Sequence, residues 1–84
     1  MAQISNELKA QLKSMPNRKV ELIVKTHGDA TPHLQWLASE GIEVSQQFRL
    51  SPGVAVSCTG AEALKLLDQG WVKSVELDAP VQAM

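Results

Sequence analysis

The first segment, ISNELKAQLKSM, places Ile4, Leu8, Leu12 and Met15 at helical spacing, with Ser5 or Asn6 as N-cap and Pro16 and Asn17 as the stop. The stripe is narrow, fit to pack on the domain or on a partner. RKVELIVKT then alternates, with Val20, Leu22 and Val24 set against Glu21 and Lys25, the pattern of a half-buried strand. Ile23 adds an apolar position to the polar face. HGD is turn chemistry, and Thr31 before Pro32 predicts an N-cap with proline at the first helical position. That helix, PHLQWLASE, carries Leu34, Leu37 and Ala38 inward, leaves Trp36 at its edge and ends at Gly41.

IEVSQQFRL alternates again. Ile42, Val44, Phe48 and Leu50 take one face and Glu43, Ser45, Gln47 and Arg49 the other, while Gln46 interrupts the apolar side. Ser51 to Gly53 form a tight connection, and VAVSC returns as the second arm of a hairpin. Thr59 and Glu62 have capping-box spacing for a helix with Ala63, Leu64 and Leu67 inward and Gly70 at its end. WVKSVEL is the last strand. The order strand, helix, strand, strand, helix, strand, with an extra helix in front, predicts an α+β fold. With right-handed crossovers it is the ferredoxin-like plait, four antiparallel strands with two helices on one face and the other face open. The predicted core is Val20, Leu22, Val24, Leu34, Leu37, Val44, Phe48, Val56, Leu64, Leu67 and Val75. Residues 1–18 read as helix and linker, 19–78 as the plait and 79–84 as an extended tail.

The 84 residues suit one domain with a limited core. A formal net charge of −1 argues against nucleic acid, which selects a basic face. Three aromatics, Trp36, Phe48 and Trp71, make a poor base-stacking platform. Cys58 stands alone, so it forms no internal disulfide, and its apolar run predicts a small buried hydrophobe. No apolar run is long enough to span a membrane, and the start lacks the pattern of a secretory signal. A cytoplasmic location is the default expectation, unless a leader has been removed.

Catalytic chemistry finds little support. His27 falls in a turn and His33 at a helix start, neither beside an evident nucleophile, and no serine sits in a strained elbow motif. THGD has the single glycine of a turn, not a phosphate loop. His27, Asp29 and His33 are the one combination with metal-ligand chemistry, and loop polarity accounts for them more simply. The expectation is a protein without enzymatic activity or cofactor. The open face, by strict alternation, holds Ile23, Ser45, Gln47, Arg49, Ala55 and Ser57; small residues at Ala55 and Ser57 would admit another protein's surface.

From Val20 to the end, the chain resembles the propeptides of subtilisin-like serine proteases and the free-standing inhibitors related to them. The matching stretches are ELIVKTHGD, LASEGIEVSQQFRLSPGVAVS and EALKLLDQGWVKSVELD, and the most telling pieces are GIEVSQQF and VKSVELD. The resemblance implies that the open sheet face docks on two helices of a protease and that the tail enters its active-site cleft as a substrate would. Met84 would take the primary specificity pocket, preceded by Ala83, Gln82 and Val81, with Pro80 stiffening the approach. Glu76 and Asp78 match the acidic residues that cap the protease helices. Leu77 departs from the family's common acidic choice. No protease domain follows Met84 in this sequence, and the first helix has no counterpart in short propeptides. The implied protein is a monomer that inhibits a subtilisin-class protease and serves as its folding chaperone as well. Two alternatives stay open: an ACT-like regulatory module binding a small ligand at THGDATP, and a homo-oligomeric assembly domain of the same plait.

Overall fold

The computed structural model describes residues 2–78. Its elements are α1 (Asn6–Ser14), β1 (Lys19–Thr26), a 3₁₀ turn (Thr31–His33), α2 (Leu34–Ser39), β2 (Glu43–Gln47), β3 (Gly53–Thr59), α3 (Gly60–Leu66) and β4 (Val72–Leu77). The strands form one antiparallel sheet in the order β2-β3-β1-β4. This is the α+β, ferredoxin-like plait the element order predicts. The tail, residues 79–84, lies outside the described residues.

Local signals set most boundaries. Ser5 caps α1, its Oγ accepting from Leu8 N at 3.1 Å. Thr59 and Glu62 form the full capping box of α3: Thr59 N donates to Glu62 Oε1 at 2.9 Å, and Glu62 N to Thr59 Oγ1 at 3.3 Å. Gly41 ends the α2 segment at φ 79°, a left-handed conformation that side chains disfavour. Two boundaries differ from expectation. Thr31 is no helix cap; Asp29 Oδ1 instead accepts from Thr31 N (2.9 Å) and Thr31 Oγ1 (2.8 Å), and Pro32 sits in the 3₁₀ turn. And α3 finishes at Leu66, with the chain turning through Gln69, so Gly70 does not terminate it.

The core lies between the sheet and the helices. Leu22 and Val24 of β1, Val54, Val56 and Cys58 of β3, and Val72 and Val75 of β4 meet Leu37, Ile42, Ala63, Leu66 and Leu67. Val20, Leu34, Val44 and Leu64 are half-buried at its margin. Leu8 and Leu12 belong to the same core, so α1 is a third helix of the layer. Its end meets the start of α3 across Gly60, where a Cβ would stand 2.6 Å from the Leu12 carbonyl and 2.8 Å from that of Met15. Just before α1, Gln3 makes a parallel bridge to Ser74 that covers part of the β4 edge, through Gln3 N to Lys73 O and Val75 N to Gln3 O, both 2.9 Å.

Trp71 packs at the start of β4. His33 stacks on it with ring centroids 4.2 Å apart and planes 5° from parallel, and Trp36 meets it edge-on at 5.7 Å. Among the described residues, no helix is long and apolar enough to cross a membrane.

Candidate protein-docking face

The sheet face away from the helices is set by the register. Leu22 opposes Val56 and Val24 opposes Val54 on the core side, so Glu21, Ile23 and Lys25 stand on the other side with Ser57, Ala55 and Gly53. Across β4, Ile23 opposes Glu76 and Lys25 opposes Ser74. Asp78 extends this ladder, its N–H donating to the Glu21 carbonyl at 2.9 Å. Across β2, Glu43 opposes Ser57.

These pairings order the face into rows. One runs Asp78, Glu21, Ser57, Glu43, with the first two carboxylates directly opposed. The next runs Glu76, Ile23, Ala55, Gln46, and the third Ser74, Lys25, Gly53. Ala55 is buried by its neighbours and Ile23 is half-exposed. Lys25 Nζ lies 3.2 Å from Glu76 Oε2, both side chains more than half exposed, so that pair adds little stability. A register shift in β4 leaves Lys73 unmatched beside Ser74, as Ser45 is in β2, so Glu21, Glu43, Glu76 and Asp78 stand with Lys19, Lys25 and Lys73 and the acidic excess of the face is small.

A bulge in β2 changes which residues stand there. Val44 opposes Val56, but Ser45 and Gln46 together oppose Ala55, and Gln47 then opposes Val54 on the core side. Ser45 stays at the face opposite Ala55 and donates to its carbonyl at 3.1 Å. Gln47 does not: it turns to the helix layer, where its Nε2 donates to Thr31 Oγ1 at 2.9 Å. Arg49 lies beyond the strand, in the turn to β3. Of the six face residues read from strict alternation, the structure therefore groups Ile23, Ser45, Ala55 and Ser57, and removes Gln47 and Arg49.

The same bulge moves Phe48. Strict alternation makes it a core residue, yet it packs outside the core cluster. Phe48 N donates to Gly53 O at 3.0 Å, and the ring approaches the open side of Gly53, with Cδ2 3.2 Å from where a Cβ would be. Glu76 on β4 and Asp78, one residue past its end, share the face; Leu77 between them points to the core side and is half exposed. Val81, Gln82, Ala83 and Met84 fall outside the described residues. Glu21 and Glu43, which alternation sets opposite the core residues of their strands, stand on this face, and only the strand order brings them beside Asp78 and Ser57.

The other candidate groups have local partners. Asp29 is held below its ordinary pKa, first by the Thr31 N–H and then by the Thr31 hydroxyl. Thr26 Oγ1 donates to Gly28 O at 2.6 Å. The polar side chains of THGDATP thus bond mainly within their own turn. His33 is stacked on Trp71, and among the described residues no group of three or more His, Cys, Asp or Glu is placed to hold a metal ion. Cys58 is fully buried, and desolvation, reinforced by Glu62, pushes its thiol up to about 11. The chain matches no protein-family model, and no curated protein resembles it significantly.

Proposed function

We propose that the protein is a propeptide-like inhibitor of a subtilisin-class serine protease. It docks by the uncovered sheet face and places Val81 to Met84 in the active-site cleft in substrate-like fashion. The observation that carries this reading is the open face with its small acidic excess, where β4 carries Glu76 and is followed in sequence by Asp78 and residues 79–84. The N-terminus of a helix presents unsatisfied N–H groups and the positive end of its dipole. Carboxylates on an uncovered face suit such ends, and Glu76 is held there only by an exposed pair with Lys25. Directly opposed like charges cost a sheet stability, and a docked helix end would relieve the Asp78–Glu21 pair. On this reading the protein supplies no catalytic residue and needs no cofactor.

The ligand-binding alternative is disfavoured by the self-bonded THGDATP turn. Inhibition of a subtilisin, measured with a chromogenic peptide substrate, tests the proposal. The full chain should inhibit reversibly. Removing Val81 to Met84 should weaken inhibition by about thirtyfold or more, the effect of losing an anchor worth about 2 kcal/mol. Absence of inhibition by the intact chain at micromolar protein would refute it.

A further inference from the structure

We infer that residues 79–84 dock, in the protein without its partner, into the cavity between the end of α1 and the start of β1, a self-contact that has to open before the tail can enter a protease. The contact stands apart from the inhibitor reading; its consequence for inhibition rests on that reading. The cavity measures about 580 Å³, and Met15, Val20 and Leu77 give it an apolar floor. Met15 and Leu77 are two of the three large apolar side chains left exposed among the described residues, the third being Leu50 in the β2–β3 turn. Arg18 and Lys19 line the rim together with Glu21 and Asp78. Two cations against two anions leave no net charge there, which suits an uncharged apolar segment.

Such a segment begins at the cavity itself. Asp78 is part of the lining, and the residues that follow it, APVQAM, carry no charged side chain. The strand register points the chain along the site. Leu77 opposes Leu22, and Asp78 N donates to Glu21 O. The next residues of an antiparallel continuation therefore pass Val20, Lys19 and Arg18 in turn, which are cavity residues. Six residues reach up to about 20 Å, more than the width of a cavity of this volume. A short tether also presents its segment at an effective concentration in roughly the millimolar range, above that of any partner at micromolar level. Val81 and Met84, which this contact covers, are the residues that inhibition needs in the cleft. The two placements exclude each other, so only the fraction with the tail released can inhibit.

Backbone amide shifts of the full chain and of the form lacking Val81 to Met84, compared at several protein concentrations, test the contact. Truncation should move Gln11, Met15 and Val20, all remote in sequence from the cut, by the same amount at every concentration. Cavity amides that stay in place would overturn the inference. So would shifts that scale with concentration, because a second copy's tail would then fill the site. Met15→Ser thins the floor at a residue outside the core cluster, so it should melt close to wild type. It should bring the Val81 to Met84 resonances toward those of the isolated peptide and lower the inhibition constant by about threefold. An unchanged or raised constant would overturn the proposed consequence. No inhibition by the wild-type chain would refute the inhibitor reading alone, since the amide shifts report the contact without a protease.

Discussion

The Phe48 ring lies against Gly53, its Cδ2 3.2 Å from the point where a Cβ on that glycine would stand, and the same point is 2.9 Å from the Val24 carbonyl. A side chain at position 53 would therefore meet fixed backbone on one side and an aromatic ring on the other. Gly53→Ala should destabilise the protein by about 1–3 kcal/mol, as overpacking does, and should loosen the turn. Thermal unfolding gives the first quantity. The Phe48 ring resonances give the second, since they should move toward solvent-exposed positions.

Phe48 itself should matter less to stability than a core phenylalanine. Complete burial makes Phe→Ala cost about 3–5 kcal/mol, but this ring is half-buried on the uncovered face. Phe48→Ala should cost about 1–2 kcal/mol, read from urea unfolding with an unchanged m-value. A loss near the upper core figure would place the ring in the core and remove the bulge.

That contrast shows which parts of the fold are legible in sequence. Ser5, the Thr59–Glu62 box and Gly41 act through their nearest neighbours, so their effects are written in spacing. The bulge is a property of two paired strands, and a one-residue slip exchanges the faces of everything after it. Its trace was present: Gln46 occupies a slot where strict alternation demands an apolar side chain, which is resolved once Ser45 and Gln46 share one partner. Glu76 and Asp78 are two residues apart in one extended segment, so their shared face is written in spacing. The acidic row they join is not, since Glu21 and Glu43 reach it only through the strand order.

Gly60 tests how α1 belongs to the domain. A Cβ there would stand 2.6 and 2.8 Å from two backbone carbonyls at the end of α1, and neither can swing aside as a side chain would. Gly60→Ala should force α1 away from α3 and cost about 2 kcal/mol or more, with loss of hydrogen-exchange protection in residues 8–12. Deleting residues up to Pro16 should give a larger loss, because Leu8 and Leu12 leave the core with it. A truncated form that melts like the full chain would show that α1 contributes nothing to stability.

Cys58 gives the fold an alkaline limit. Its thiol ordinarily ionises near 9.0 and is raised to about 11 in the folded protein, chiefly by burial. A folded pKa above the unfolded one means that the contribution is fully present below pH 9.0 and is lost as the pH climbs toward about 11. Unfolding free energy should fall across that window in the wild type and fall less in Cys58→Ala, which has no thiol to ionise. Thiol reagents at neutral pH should react with Cys58 only on unfolding, because the thiolate is the reactive form.

The opposed carboxylates of Asp78 and Glu21 separate stability from function in a single residue. Asp78 N donates to Glu21 O, so the two side chains are direct cross-strand neighbours of like charge. Like charges directly opposite destabilise a sheet, and the effect is screened as salt increases. Asp78→Asn removes the repulsion while keeping the shape and the backbone bond. The free protein should therefore melt slightly higher than wild type at low salt, and the gain should shrink at high salt. Inhibition should move the opposite way, becoming weaker, because the proposed helix-end contact loses its charge. Glu76→Gln added to it should weaken inhibition further at little cost in stability, since the exposed Lys25–Glu76 pair adds little to the fold. A double variant that is more stable and inhibits as well as wild type would mean that these carboxylates make no contact with the protease.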